Sequence, residues 1–231
     1  MSQKINPTST KLGILQLWNC HIPMYGKSFN CYRNQLQLRK YIYVQLSNFF
    51  KESNILLNQI NMNYTNHQIL INVSLFSVQF TIKFLDKPQL LNNINYWFKV
   101  PITLNLYKTS FLSSSSFLLN NYVIYLTKEK NLTPKKILRQ VYLLLKQSSK
   151  SNKLIYTTSG LKKASLKGFK LQFSGCFESS RSQMAKTIKC SFGSVPLTSL
   201  KGYVEYSSNP IFTKFGACGL KVWLFYELKS L

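Results

Sequence analysis

A cluster of cationic side chains lies in the stretch PKKILRQVYLLLKQ, residues 134–147. The spacing of Lys135, Lys136 and Arg139 would bring their side chains to one face of a helix. The intervening apolar residues form the opposite face, so the stretch predicts an amphipathic helix. Cations grouped in this way can bind the phosphates of a polyanion. The alternative interpretation is an ordinary lysine face exposed to water.

A second group of cations lies in residues 178–190, which contain Arg181, Lys186 and Lys189. We interpret this stretch as another amphipathic helix, with its apolar residues turned inward and these three cations turned outward. The two predicted helices would then present positive charge of the same character. Both have to be held in place by the remaining elements of the fold.

Residue types that commonly catalyse reactions are scarce in this chain. The two histidines, His21 and His67, have no acidic residue at a spacing that would form a catalytic pair. The five cysteines are scattered without the paired spacing of a metal site or a disulfide framework. Gly216 and Gly219 directly precede a strand-like run, which favours a tight turn over a phosphate loop. We therefore predict no catalytic residue, no metal, no cofactor and no small-molecule substrate, and hence no enzyme.

The charge of the chain is strongly unbalanced. Its 30 Lys and Arg residues face only 6 Asp and Glu, which gives a formal net charge of +24. Such crowding of like charge favours a polyanionic partner, either nucleic acid or an anionic membrane. No apolar run approaches the roughly 18–20 residues that span a bilayer, and the basic stretch 134–147 lacks the Trp and Phe of a membrane-surface helix. We favour nucleic acid and predict no membrane partner.

The first half of the chain predicts one helix followed by three strands. Apolar residues first recur at helical spacing and then alternate with polar ones. The helix is expected over residues 34–50, and the strands over 55–62, 69–84 and 102–107. Residues 86–98 are ambiguous, and residues 1–30 are expected to be irregular because prolines and glycines interrupt them.

The second half predicts helices on one face of a mostly antiparallel sheet, which is an α+β arrangement. Four consecutive serines at Ser113–Ser116 indicate a linker or loop tip, and the polar residues 147–168 indicate a long loop. Thr133 before Pro134 is typical of the start of a helix. The remaining predicted elements are strands over residues 169–174, 198–207 and 219–227.

Residues 3–19, QKINPTSTKLGILQLWN, resemble the start of the ribosomal protein S three family, the universal small-subunit protein three. The matching residues are Gln3, Lys4, Asn6, Pro7, Lys11, Leu12, Gly13 and Trp18. Further motifs of the family follow in the same order near the other end of the chain. They are GFKLQFSG (168–175), MAKT (184–187), GSVPLTSL (193–200), YVEY (203–206) and TKFGACGLKVWLF (213–225). The middle of the chain matches only in pattern.

The resemblance implies an α+β fold with two domains. These are an N-terminal type II KH-like domain and a C-terminal antiparallel sheet domain with helices on one face. We place an extended N-terminal segment at residues 1–30, the KH-like domain at 31–110 and the C-terminal domain at 111–231. The chain has no glycine from residue 27 to residue 159. The glycine loop with which KH domains clamp RNA is therefore missing, and we expect a degenerate KH domain.

The resemblance also implies a structural constituent of the small ribosomal subunit. Such a protein binds ribosomal RNA in the head, contacts neighbouring head proteins and helps to line the entrance of the messenger RNA channel. Lys135, Lys136 and Arg139 match the family's basic helix that faces the messenger. The residues expected to bind ribosomal RNA are Lys4, Asn6, Lys11, Lys170, Arg181, Lys186, Lys189, Lys201 and Lys214. The alternative is a free-standing KH-type RNA-binding or RNA-processing factor, against which the C-terminal motifs argue.

Some features depart from the family pattern or concern the location of the protein. Cys176 and Ser194 stand where the family usually has Arg, and residues 147–168 look like an insertion. We expect Trp18 and Trp223 in the protein core.

The family motif begins so close to the first residue that no room remains for an import sequence. We therefore expect synthesis inside an organelle and a place in the mitochondrial matrix, with a plastid as the alternative and a bacterium as the third choice.

Overall fold

The computed structural model describes residues 5–18, 29–52, 55–64, 68–77, 101–128, 132–149, 152–177, 184–213 and 215–229. The chain divides into two compact units. The large unit comprises Met1–Trp18 together with Phe111–Leu231, and the small unit comprises Asn19–Ser110. The N-terminal segment thus belongs to the same unit as the C-terminal half of the chain.

The small unit contains a helix and a three-stranded sheet in its described residues. The elements are α1 (Phe29–Glu52), β1 (Ile55–Tyr64), β2 (Ile69–Ser77) and β3 (Ile102–Lys108). β2 lies in the middle, antiparallel to β1 and parallel to β3. This order confirms the predicted helix and three strands. Residues 78–84 of the second predicted strand and the ambiguous residues 86–98 lie outside the described residues.

Periodic apolar residues build the core of the small unit. Ile42, Leu46 and Phe50 recur every four residues along α1, and all three are fully buried. This spacing places them on one face of the helix. The strands bury alternate residues, as expected where one face of a sheet meets a helix. The buried residues of β2 and β3 are Ile69, Ile71, Val73, Leu75, Ile102 and Leu104.

The large unit is an antiparallel sheet with helices packed on one face. The helical elements are a 3₁₀ turn (Leu112–Ser114), α2 (Ser116–Lys128) and α3 (Pro134–Ser148). The strands are β4 (Asn152–Thr157), β5 (Gly160–Gly175), β6 (Lys186–Phe192), β7 (Tyr203–Thr213) and β8 (Gly216–Lys229). Their order is β4-β5-β8-β7, and β6 pairs with the second half of β5 on the edge that β4 also occupies.

Both helices bury an apolar face against this sheet. The buried apolar residues of the helices are Leu118, Leu119, Val123 and Leu126 on α2, and Ile137, Leu138, Val141 and Leu145 on α3. Along β8 the alternate residues Leu220, Val222, Leu224 and Tyr226 lie in the same core as all of these helix residues except Leu118. The arrangement confirms the predicted α+β class and the predicted helix over residues 134–147.

Residues 147–168 contain a β-hairpin, so the predicted long loop is wrong. β4 pairs antiparallel with the first half of β5. The turn between them uses Gly160 with a φ of 100°, a conformation that favours glycine. Ile155, Ala164 and Leu166 are buried in the core of the large unit. The alternating pattern was hidden because β4 exposes Leu154 and Tyr156 and turns Lys153 and Thr157 inward, the reverse of the usual division.

Residues 186–190 belong to strand β6, so the helix predicted over residues 178–190 is wrong for this part. β6 pairs antiparallel with β5, and alternate residues from Ile188 to Phe192 pack against the core. Pairing with β5 favours the strand because the side chains of KTIKCSF then alternate between the core and the opposite face. Residues 178–183 lie outside the described residues.

The strand predicted over residues 198–207 begins later and runs further than expected. β7 extends from Tyr203 to Thr213 and contains Pro210. Asparagine followed by proline would ordinarily end a strand. β7 continues through this pair because it lies at the edge of the sheet, where a missing N–H on the outer side removes no ladder hydrogen bond.

The run Ser113–Ser116 is part of the folded large unit, so its interpretation as a linker is wrong. Its last residue, Ser116, is buried and begins α2. The carboxylate of Glu205 in β7 accepts a hydrogen bond from the Ser116 backbone N–H at 3.0 Å. Glu205 also pairs with Lys153 of β4, whose Nζ donates to the Ser114 carbonyl at 2.7 Å. These contacts fix the start of α2 to two strands.

Candidate nucleic-acid interface

The cations at the start of α3 are exposed together. Lys135, Lys136 and Arg139 all face solvent, because Ile137 and Val141 turn the other side of the helix into the core. The first turn of α3 contains no acidic residue. The N–H groups at a helix N-terminus carry a partial positive charge, to which these side chains add. The arrangement concentrates positive charge where phosphate groups bind favourably.

Lys135 also lines a cleft of about 410 Å³ in the large unit. Lys186, another predicted site residue, lines the same cleft. The fold thus brings together two cations that are far apart in the sequence. The other residues that line the cleft are Cys176, Phe177, Met184, Thr187 and Ile188. The cleft therefore combines positive charge with a mostly apolar surface.

The open face of the large unit's sheet, which lies opposite α2 and α3, carries further cations. Lys170, Lys189 and Lys221 belong to this face, because their neighbours along each strand point towards the helices. Gln172 pairs with Lys189 on one side and with Lys221 on the other. The strand spacing therefore places these two lysines about 10 Å apart. The open face can approach a polyanion over several strands.

Aromatic rings lie next to Lys170 on the open face. The Lys170 Nζ is 5.5 Å from the centre of the Trp223 ring, a distance at which cation and ring attract each other. The rings of Tyr206 and Trp223 are 5.3 Å apart. Trp223 is only 5% exposed although it lies on the face opposite the helices, so the prediction that it is buried is confirmed. Trp18 is 61% exposed, so the same prediction is wrong for that residue.

Lys11 is buried inside the large unit. Its side chain is fully buried, and its Nζ donates to the carbonyl of Gly202 at 2.9 Å. Burial away from water lowers the pKa of Lys11. Gln16 of the same segment donates through Nε2 to the carbonyl of Val204 at 2.7 Å. This placement contradicts the prediction that Lys11 binds ribosomal RNA, because the side chain instead attaches its own segment to the start of β7.

Residues 5–18 are folded as a series of turns, so the prediction of an extended segment is wrong for them. The side-chain oxygen of Asn6 accepts hydrogen bonds from the backbone N–H and the hydroxyl of Thr8, at 3.0 and 2.7 Å. Thr158, in the turn between β4 and β5, donates to the Ile14 carbonyl at 2.7 Å. Asn6 itself is exposed, so its contact with ribosomal RNA stays a prediction.

The remaining predicted site residues are exposed wherever the structure describes them. Lys186 and Lys189 lie on β6, and Lys201 lies in the turn before β7. Lys221 was not predicted. Its position in the alternating stretch GLKVW, between two buried residues, was the signal that could have identified it. Three predicted residues lie outside the described residues: Lys4, Arg181 and Lys214.

Few carboxylates oppose these cations in the described part of the chain. Two ion pairs are found there, Lys153–Glu205 and the exposed pair Lys167–Glu227 at 3.1 Å. Neither pair includes the predicted site residues Lys135, Lys136, Arg139, Lys189 or Lys201. Among the same described residues, no group of three His, Cys, Asp or Glu side chains could hold a metal ion. None of the described helices is long and apolar enough to cross a membrane.

Known proteins resemble the chain along its whole length, although no family model matches it. It is 36% identical to small ribosomal subunit protein uS3m of Chondrus crispus, over 100% of this chain and 96% of that protein. It is 26% identical to uS3c of Phaeodactylum tricornutum, over 97% of each chain. It is 24% identical to uS3 of Nitrosomonas eutropha, over 97% of this chain and 94% of that protein. The chain therefore belongs to the uS3 family of small ribosomal subunit proteins, as a mitochondrial member.

Proposed function

We propose that this structural protein of the mitochondrial small subunit is anchored to ribosomal RNA in the head, and that the start of α3 faces the messenger at the channel entrance. The observation that carries the proposal is the joint exposure of Lys135, Lys136 and Arg139 at one end of a helix. The same three residues matched the family's messenger-facing helix. The proposed role is architectural and requires no catalytic step.

The proposed binding is electrostatic and reads the RNA backbone more than its bases. Each lysine that neutralises a phosphate releases counterions, so the affinity falls as salt concentration rises. The ribosomal RNA contacts are assigned to the open-face residues Lys170, Lys189 and Lys221 and to the turn residue Lys201. Lys11 is left out of this set, because its burial keeps it from phosphates.

We propose that the small unit is a degenerate KH-like domain. Its helix packed on a three-stranded sheet supports this assignment. Without a glycine between residues 27 and 159 the backbone is not expected to approach phosphates as a KH loop does. The unit would instead contact neighbouring head proteins. Photocrosslinking of RNA to the assembled protein should label peptides of the large unit, and labelling concentrated in residues 55–77 would contradict this assignment.

The messenger contact is tested by the double substitution Lys135→Glu with Lys136→Glu. Both side chains are exposed, so the fold and the assembly of the head should be unaffected. We expect at least a tenfold loss of messenger affinity. The slope of log affinity against log salt should fall by about 1.4, because two phosphate contacts are lost. The measurement is binding of labelled single-stranded messenger to reconstituted small subunits over a range of salt concentrations.

A matched control changes the net charge equally at a distance from the start of α3. Lys128→Glu with Lys146→Glu alters exposed lysines in the last turns of α2 and α3. This variant should keep nearly normal messenger affinity. The messenger role would be rejected if Lys135→Glu with Lys136→Glu bound messenger normally, or if the control lost just as much affinity.

The alternative of a free-standing RNA-binding or RNA-processing factor would use the same cations. Similarity to uS3 proteins along the whole chain supports the ribosomal role instead. Co-sedimentation of the protein with small ribosomal subunits distinguishes the two functions. We expect it to stay with small subunits at moderate salt, whereas release as a free protein under these conditions would favour the alternative.

A further inference from the structure

We propose that the cleft beside Lys135 binds the base and phosphate of one unpaired nucleotide in the RNA strand that passes the start of α3. The cleft lies where β5 ends and β6 begins, and α3 packs against both strands. Its position next to the exposed cations of α3 gives a bound strand a short path into it. This inference deepens the proposed messenger contact and rests on it.

The walls of the cleft suit the flat face of a base. Phe177, Met184 and Ile188 supply its apolar surface. The Phe177 ring is held at an angle of 75° to the ring of Phe173, with 5.9 Å between their centres. Phe177 is only partly buried, and Met184 is 72% exposed. Aromatic and apolar side chains of this kind stack on unpaired bases in RNA-binding proteins.

The polar groups of the cleft suit the remaining parts of a nucleotide. Lys135 and Lys186 line it and can neutralise a phosphate. The hydroxyl of Thr187 can donate to or accept from the edge of a base. The volume of about 410 Å³ falls within the range of small-ligand sites, about 300–1,000 Å³. An anion without a ring would leave the apolar wall in water, which favours a nucleotide over free phosphate.

The nucleotide has to be unpaired. A base within an RNA helix is stacked on both faces, and its extraction costs free energy. A single-stranded messenger offers bases that are free to enter the cleft. Stacking of this kind tolerates any sequence, because every base has a flat face. The cleft would thus hold the strand while allowing it to move by one nucleotide at a time.

The test compares two strands that carry the same phosphates. Fluorescence anisotropy of the full-length protein is measured with a short oligouridine strand and with an abasic strand of equal length. The wild-type protein should prefer the base-bearing strand by about 5- to 100-fold, the range expected for stacking one base. Equal binding of both strands would overturn the cleft proposal and leave the electrostatic messenger contact intact. Failure to bind either strand would overturn both.

Substitutions in the cleft and at the neighbouring Lys136 separate stacking from charge. Phe177→Leu with Met184→Ser should abolish the preference for bases while affinity for the abasic strand stays unchanged. Lys136→Glu should lower the affinity for both strands by a similar factor. If Phe177→Leu unfolds the protein, the exposed Met184→Ser change alone should reduce the preference at least twofold, and an unchanged preference would overturn the proposal. Free uridine monophosphate should compete poorly, and competition as strong as that of the whole strand would assign the cleft to a free nucleotide.

Discussion

Two lysines that lie close together in the large unit differ in their roles because their surroundings differ. The Lys11 Nζ donates to the carbonyl of Gly202, and the side chain is fully buried. Lys201 precedes Gly202 in the chain and is exposed. A buried ammonium group stabilises the fold through its hydrogen bond, whereas an exposed one remains available to phosphates. Residue type alone therefore could not distinguish a structural lysine from an RNA-binding one.

The substitution Lys11→Met tests the structural role. Methionine keeps the apolar chain but leaves the Gly202 carbonyl without its donor, which we expect to lower the free energy of unfolding by about 1–3 kcal/mol. RNA affinity should hardly change. Denaturant unfolding and RNA titration of the same preparation provide both measurements.

Lys201→Met is the matched control for Lys11→Met. Because Lys201 is exposed, its loss should change the free energy of unfolding by less than about 0.5 kcal/mol. It should lower the slope of log RNA affinity against log salt concentration by the amount expected for about one phosphate contact. The assignment of Lys11 would be refuted if Lys11→Met unfolded like the wild type and lost RNA affinity.

At the scale of elements, the sequence predicts a helix or strand clearly only where burial imposes a regular apolar pattern. Ile42, Leu46 and Phe50 mark α1 clearly because one helix face is wholly buried. The hairpin of β4 and β5 does not show in the sequence because β4 exposes Leu154 and Tyr156 and turns Lys153 and Thr157 inward. The local pattern of strand β6 predicts a helix, but its pairing with the neighbouring strand β5 decides its conformation. Local pattern does not contain that information.

The junction of α2, β4 and β7 depends on Glu205. Its carboxylate binds the Ser116 backbone N–H at the start of α2 and the Lys153 ammonium on β4. Both side chains of the ion pair are mostly buried, at 27% and 13% exposure. Glu205→Ala leaves the lysine and the N–H without this partner, so we expect the free energy of unfolding to fall by about 1–3 kcal/mol. Thermal and denaturant unfolding measure the loss.

Glu227→Ala provides the control for Glu205→Ala. Its ion pair with Lys167 is about half exposed on both sides. Exposed pairs of this kind contribute about 0–1 kcal/mol. If the two substitutions destabilised the protein equally, Glu205 would not hold the junction as described.

For the molecule as a whole, composition predicted the class of partner, and the fold determined which cations can reach it. The net charge of +24 indicates a polyanionic partner whatever the fold. The exposed cations at the start of α3 could be identified from helical spacing alone, whereas their proposed contact with the messenger comes from the family resemblance. The cleft shared by Lys135 and Lys186 could not, because it forms only when the start of α3 packs beside β6. The cations of the open face could not be brought together from local spacing either, because strand pairing decides which of them are neighbours.

The central claim is that RNA phosphates surround the cations of the large unit. A density map of the mitochondrial small subunit with bound messenger tests it most directly. We expect the chain to lie in the head, with Lys189 and Lys221 in contact with ribosomal RNA. Lys135, Lys136 and Arg139 should lie within hydrogen-bonding distance of messenger phosphates. A map in which the start of α3 faced only protein or open solvent, far from any RNA, would contradict it.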